Sequence, residues 1–196
     1  MIAGAARGRE LRIPPGRSTR PTSDRLRESL FAMLDAAAVD MSETLDLYAG
    51  SGALGIEALS RGAGRCTFVE QDARACLTAR ENLRRVGLEG RGHVVRGRVG
   101  RWRAGPRPGV TLVLADPPYH DDAAWPAIER TLAGALAEGV LLAVEHSARH
   151  EPPATLVGLP LWRDRRQGDG AVALYRRTGG GEAAGPVPPP PRGGAL

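Results

Sequence analysis

A strand that breaks into a glycine-rich turn and continues as a helix constrains this chain more than any other stretch. Thr44 to Tyr48 reads as a short strand carrying one acid, Asp46, and Ala49-Gly50-Ser51-Gly52-Ala53-Leu54-Gly55 follows it. Gly50, Gly52 and Gly55 keep the spacing G-x-G-x-x-G, which lets backbone approach a ligand closely. The alternation then continues. The pattern predicts a helix to about Arg61, a strand at Cys66–Glu70, a helix from about Ala73 to Val86 and a strand near Gly92–Arg96. It goes on to a strand at Val110–Ala115, a helix from about Ala123 to Ala137 and a strand at Val140–Glu145. Two late segments, Thr155–Trp162 and Ala171–Arg176, read as a closing antiparallel pair. Alternating strands and helices predict an α/β, Rossmann-like, mostly parallel sheet with right-handed crossovers and helices on both faces.

Upstream of that body, residues 1–20 read as a short extended arm with Ile2, Leu11 and Ile13 as apolar anchors and Pro14-Pro15-Gly16 as a turn. Thr22 or Ser23 caps a predicted helix to about Ala38, whose Leu26, Leu30, Met33 and Leu34 form one apolar stripe. Residues 21–178 then make one domain of a 196-residue chain. Residues 179–196, with Gly-Gly-Gly and Pro188-Pro189-Pro190-Pro191, are expected to be a disordered tail, because they bury too little to offset their ordering entropy.

Charge points to a partner. All 27 basic residues are arginine, and the formal net charge is +5. The first 30 residues hold seven arginines against three carboxylates, so a basic arm precedes a near-neutral body. That asymmetry suits a polyanion; the plainer reading is a solvated arginine-rich face. No run of about 18 apolar residues suggests a membrane span, and no apolar leader suggests secretion. Cys66 and Cys76 are read as reduced thiols, and the expected location is the cytoplasm.

The glycine turn alone admits either a nicotinamide dinucleotide or S-adenosylmethionine (SAM). Glu70 ends the next strand, placed for ribose hydroxyls in both cases. Asp46 favours SAM, since an acid beneath the turn suits a cationic amino-acid end. The cofactor-binding candidates are therefore Asp46, Ala49, Gly50, Ser51, Gly52 and Glu70. Asp116-Pro117-Pro118-Tyr119 also favours SAM, because it has no role in hydride transfer. These four are the catalytic candidates. An exocyclic base amine is a poor nucleophile until it pyramidalises. Hydrogen bonds to the Asp116 carboxylate and the Pro117 carbonyl favour that change, the prolines hold the acceptors rigidly, and Tyr119 offers a face for an extruded base. Taken alone, such a tetrapeptide is also a common proline turn with a packed tyrosine.

Other candidates are weaker. His146 and His150 precede Pro152-Pro153 without a further ligand nearby, so no metal is assigned. His120 and His93 read as a loop and a structural histidine, and Trp102, Trp125 and Trp162 default to packing.

Several of these residues together resemble a known family. Arg7-Gly8-Arg9, Leu11, Arg20-Pro21-Thr22, Asp24-Arg25, Arg27-Glu28 and Leu30-Phe31 are similar to the N-terminal signature of the bacterial 16S rRNA guanine-N2 methyltransferases, the small-subunit methyltransferase D type. Leu45 to Gly55 with Ile56 to Ala63, Asp116 to Tyr119 and Gly168-Asp169 also resemble that family. The resemblance covers about residues 1–177. It implies that residues 21–178 form a class I SAM-dependent methyltransferase domain, a sheet of seven strands with the last antiparallel. It also implies methylation of one guanine N2 amine in 16S rRNA of the assembled or assembling small subunit; a monomer is the expected state. On that basis Arg7, Arg9, Arg20, Thr22 and Arg25 are expected to face RNA. Arg96-Gly97-Arg98-Val99-Gly100 departs from the family pattern, so the adenine contact stays unassigned.

Two rivals follow from the same residues. A DNA adenine-N6 methyltransferase needs the same amine clamp, but no target-recognition insertion is evident. A non-catalytic RNA-binding assembly factor on the same fold would account for the altered segment at Arg96–Gly100.

Overall fold

Valine, leucine and alanine on alternate sides of short strands make a sheet that must be covered twice. The computed structural model describes residues 1–13, 21–105, 109–118 and 123–177, with the backbone alone at 21–24. In chain order the elements are α1 (Pro21–Ala36), β1 (Glu43–Leu47), α2 (Ala53–Ser60), β2 (Arg65–Glu70), α3 (Ala73–Val86) and β3 (Gly92–Arg96). They continue as β4 (Val110–Ala115), α4 (Ala124–Leu132), β5 (Leu136–Ser147), β6 (Thr155–Leu156), β7 (Leu159–Gln167) and β8 (Gly170–Tyr175). Their order across the sheet is β3-β2-β1-β4-β5-β8-β7-β6. β3, β2, β1, β4 and β5 run parallel, and β8 runs antiparallel to both of its neighbours, β5 and β7.

Parity along the strands assigns the two faces. Leu112 and Leu114 of β4 pack with Ile56, Leu59, Leu83 and Phe31 under α1, α2 and α3. Val113 and Ala115 pack on the other face with Ile128 and Leu132 of α4. β1 obeys the same rule: Leu45 and Leu47 face α4, so Asp46 must face α2. Register aligns Leu47 with both Val69 and Ala115, which brings the carboxyl ends of β1, β2 and β4 level. The order reverses between β1 and β4, and ligands of such sheets bind beyond the strand ends at that point.

Four expectations are corrected. The sheet has eight strands, not seven. The segment expected as one strand at Thr155–Trp162 breaks at Val157 and Gly158, whose φ values of 52° and 73° make a two-residue hairpin turn between β6 and β7. α4 ends at Leu132 rather than near Ala137, because Ala133 leaves the helical region and Gly134 turns left-handed; Leu136 already pairs with Val110. The arm is not simply extended. Gly4–Ala6 forms a single 3-10 turn, Ala6 is buried, Leu11 packs on the core and the expected anchor Ile13 is exposed. The predicted tail, 179–196, lies outside the described residues.

Candidate active site

The turn after β1 is built from left-handed backbone. Tyr48, Gly50 and Gly52 have φ of 58°, 55° and 82°. A tyrosine in that region is uncommon and marks a turn held by its surroundings. The Ala49 N–H donates to the Val69 carbonyl (3.1 Å), and the Gly52 N–H donates to the Ala49 carbonyl (2.7 Å). The chain then enters α2, whose first turn points its free N–H groups back at the crevice.

Two acids grip this turn from beneath. The Gly50 N–H donates to Glu70 Oε2 (2.9 Å), and Glu70 Oε1 accepts the Asp72 N–H (2.8 Å). Each carboxylate oxygen keeps a lone pair for a hydroxyl. Asp46 is buried and accepts the Gly55 N–H at Oδ2 (2.9 Å). Burial pushes the Asp46 carboxyl up to about 8; the Gly55 N–H opposes this, and the negative charges of Asp116 and Glu70 add to it. Three carboxylates from β1, β2 and the end of β4 therefore share one field. Such a crevice attracts positive charge.

Asp116 leaves β4 beside the turn. Its N–H donates to the Leu47 carbonyl (3.3 Å), the last residue of β1. Asp116 is exposed, Pro117 is buried and Pro118 is exposed, so the first proline anchors the loop while the carboxylate stays accessible. Tyr119 and His120 lie outside the described residues. Ala49 is buried and Ser51 half-buried. The structure thus brings Asp46, Ala49, Gly50, Ser51, Gly52, Glu70 and Asp116 to one end of the sheet.

The arginine candidates divide. Arg7 and Arg25 are exposed, Arg9 Nη1 donates to the Arg85 carbonyl (2.9 Å), and Thr22 lies in the first turn of α1. Arg20 lies outside the described residues. His146 pairs with Asp164 (2.9 Å) and sits 6.0 Å from the Trp125 ring, a packing role, while His150 is exposed. Among the described residues no group of His, Cys, Asp and Glu is arranged to hold a metal ion.

Residues 1–176 match the family described as Conserved hypothetical protein 95. The ribosomal RNA small subunit methyltransferase D of Escherichia coli K12 is 35% identical over 188 residues, spanning 93% of this chain and 92% of that protein. The chain belongs to this family. The solved structure of yhhF from Escherichia coli superposes with a TM-score of 0.73 at 34% identity, covering 90% of this chain and 96% of its own. A hypothetical protein of Thermus thermophilus gives 0.70 at 31% identity, covering 90% and 98%. The family frame is a class I, Rossmann-like methyltransferase sheet, and here it carries an additional short edge strand, β6.

Within this family frame, three buried polar residues escaped the sequence reading. Glu57 accepts the Ile2 and Ala3 N–H groups (2.9 and 3.0 Å), and Ser60 Oγ accepts the Ala6 N–H (2.9 Å). Asn82 accepts the Arg12 N–H at Oδ1 (2.8 Å) and donates from Nδ2 to the Arg12 and Ser51 carbonyls (both 2.9 Å). The signal for each was a polar residue inside an apolar helical stripe: Asn82 falls among Ala75, Cys76, Ala79, Leu83 and Val86. Buried polar groups must be satisfied, so each asks for a partner from elsewhere.

Proposed function

We propose that this protein transfers a methyl group from SAM to the exocyclic N2 amine of one guanine in 16S ribosomal RNA of the small subunit. The observation that carries this reading is the bond from the Asp116 N–H to the Leu47 carbonyl, which holds Asp116 beside the glycine turn at the sheet's switch point. The family relationship, through a relative named for methylation of small-subunit ribosomal RNA, supports the substrate class.

The donor set fits SAM. Glu70, and Asp46 once its proton leaves, supply negative charge beneath the glycine turn, a match for a cationic nucleoside that also carries a ribose diol. SAM, when bound, supplies an electrophilic methyl on a positively charged sulfur. The residues around it do the rest. The Asp116 carboxylate and the Pro117 carbonyl accept the two N–H groups of the guanine amine and turn its lone pair toward the methyl. With SAM bound, its methyl would leave the sulfur for the amine nitrogen, and Asp116 would take the proton the amine sheds and pass it to water. Because the amine becomes acidic only as the methyl arrives, an ordinary carboxylate suffices. The fixed acceptors act by orientation and by stabilising the positive charge that develops on nitrogen. Tyr119 is proposed to stack on the extruded base, a contact worth roughly 1–3 kcal/mol.

Asp116→Ala should bind SAM as the parent does while methyl transfer falls at least about a hundredfold. Calorimetry measures the first. Labelled SAM offered with unmethylated small subunits, naked rRNA and duplex DNA, followed by nucleoside analysis, measures the second. N2-methylguanosine in RNA is the expected product. N6-methyladenine in DNA, which the tetrapeptide alone would allow, replaces the substrate assignment. Full activity of the variant removes the mechanism.

A further inference from the structure

The arm does not lie across the sheet; it follows α3. Arg9 reaches the carbonyl of Arg85 near the end of that helix, and Arg12 reaches Glu81 and Asn82 one turn earlier. Asn82, fully buried, clasps both backbone groups of Arg12, so the arm is seated at a fixed height beside the helix. Between arm and helix lies an open trough of about 430 Å³ lined by Arg12, Glu81, Arg84 and Arg85. We propose that this trough binds the sugar–phosphate backbone of the RNA substrate, a second docking track outside the methyl-transfer crevice.

Three observations carry the proposal. Residues 1–13 and 73–91 hold eight arginines and three carboxylates, a surplus equal to the +5 of the whole chain. Of these eight arginines, Arg12, Arg84 and Arg85 line the trough against one carboxylate, Glu81. Among the described residues, the guanidinium groups of Arg84 and Arg85 have no hydrogen-bond or ion-pair partner. Arg12 does have one in Glu81 (2.9 Å), but the two side chains are 64% and 47% exposed, and such a pair contributes little and is readily exchanged for a phosphate.

The lining also selects the class of partner. It holds no apolar or aromatic side chain, whereas the centres of protein interfaces are built on such anchors. An all-charged, arginine-rich trough matches phosphodiesters. Asn82 acts as a positioning residue in this arrangement. Its remaining Nδ2 bond, to the Ser51 carbonyl, ties the same side chain to the glycine turn.

The substrate class rests on the function proposed above, so the test separates the two. Arg84→Glu with Arg85→Glu places both changes on the exposed face of α3. Arg165→Glu with Arg177→Glu makes the same charge change at exposed positions toward the opposite edge of the sheet. Binding of a single-stranded 16S-derived oligonucleotide is measured by fluorescence anisotropy across a salt series, alongside melting temperature, SAM affinity and methyl transfer.

The trough variant should lose at least about tenfold in RNA affinity, with a log–log salt slope shallower by about one to two. Its KM for RNA should rise while kcat, SAM affinity and melting temperature hold. Three outcomes overturn the proposal. One is an unchanged affinity and slope. Another is a lower melting temperature alone, which would leave the two arginines as partners of the helix dipole. The third is an equal loss in the Arg165/Arg177 control. Equal losses on RNA and duplex DNA would reassign the trough to polyanions in general and overturn its assignment to RNA. Parent protein that binds RNA through the trough but forms no methylguanosine would overturn the proposed reaction and leave the trough standing.

Discussion

The three glycines of the turn serve two different physical needs. Gly50 and Gly52 hold left-handed backbone that side chains resist. Gly55 sits in ordinary helical backbone, yet a Cβ there would lie 2.4 Å from Phe68 Cε1 and 2.6 Å from Cys66 Sγ. Its role is close packing of α2 on β2, which keeps its N–H within reach of Asp46. The spacing of the glycines was legible in the sequence, and so was an acid in a buried strand. The bond between Asp46 and Gly55 was not, because it depends on how far α2 sinks onto the sheet. Gly55→Ala should therefore cost about 1–3 kcal/mol through overpacking. Urea denaturation measures it, and SAM affinity should fall as the helix lifts from Asp46. Unchanged stability would mean that Phe68 and Cys66 give way without strain.

At the scale of elements, most of the parallel half of the sheet was legible, although β5 runs over Leu136–Ser147 where Val140–Glu145 was expected. α3, β3 and β4 follow the expected bounds, since each is a single periodic run between glycine or aspartate stops. The arm was legible as basic but not as docked. Its attachment uses backbone N–H groups of residues 2, 3, 6 and 12, and backbone carries no sequence signal; only the buried Glu57, Ser60 and Asn82 hint at it. Gly4 makes the attachment possible. With φ of 76° it lets the arm lie so close to α2 that a Cβ would stand 1.8 Å from the Ser60 carbonyl oxygen. Gly4→Ala should lift the 3-10 turn off α2. Hydrogen exchange should then show protection lost at the Ile2, Ala3 and Ala6 amides while the sheet amides keep theirs. Persistent protection at those three positions would show that the turn adapts without undocking.

Across the whole molecule, one end of the sheet collects acids and the arm collects arginines. The sheet's topology accounts for the first, because β1, β2 and β4 all end at the switch point with Asp46, Glu70 and Asp116 within or just beyond them. The eighth strand escaped the sequence because its hairpin turns on Val157, a residue rarely found left-handed. The gathered acids have a consequence for stability. Asp46 ionises near its usual 3.8 in the unfolded chain and at about 8 in the fold, raised first by burial. Between those values the folded protein binds a proton that the unfolded chain has released, so stability must decline as pH rises through that window. The Asp46 contribution is fully present below the unfolded value and lost once pH passes about 8. Asp46→Asn keeps an acceptor for the Gly55 N–H and removes the titration. The stability of the parent relative to this variant should fall from pH 5 to pH 8 and level off above, in urea titrations at a series of pH values. Saturating SAM should flatten the decline, because a cation beside Asp46 lowers its pKa, and calorimetry at pH 7 in buffers of different ionisation enthalpy should detect proton release on binding. A parent that holds level with the variant from pH 5 to pH 8 would show Asp46 already ionised in the free protein. The crevice would then bind its cation without a proton leaving.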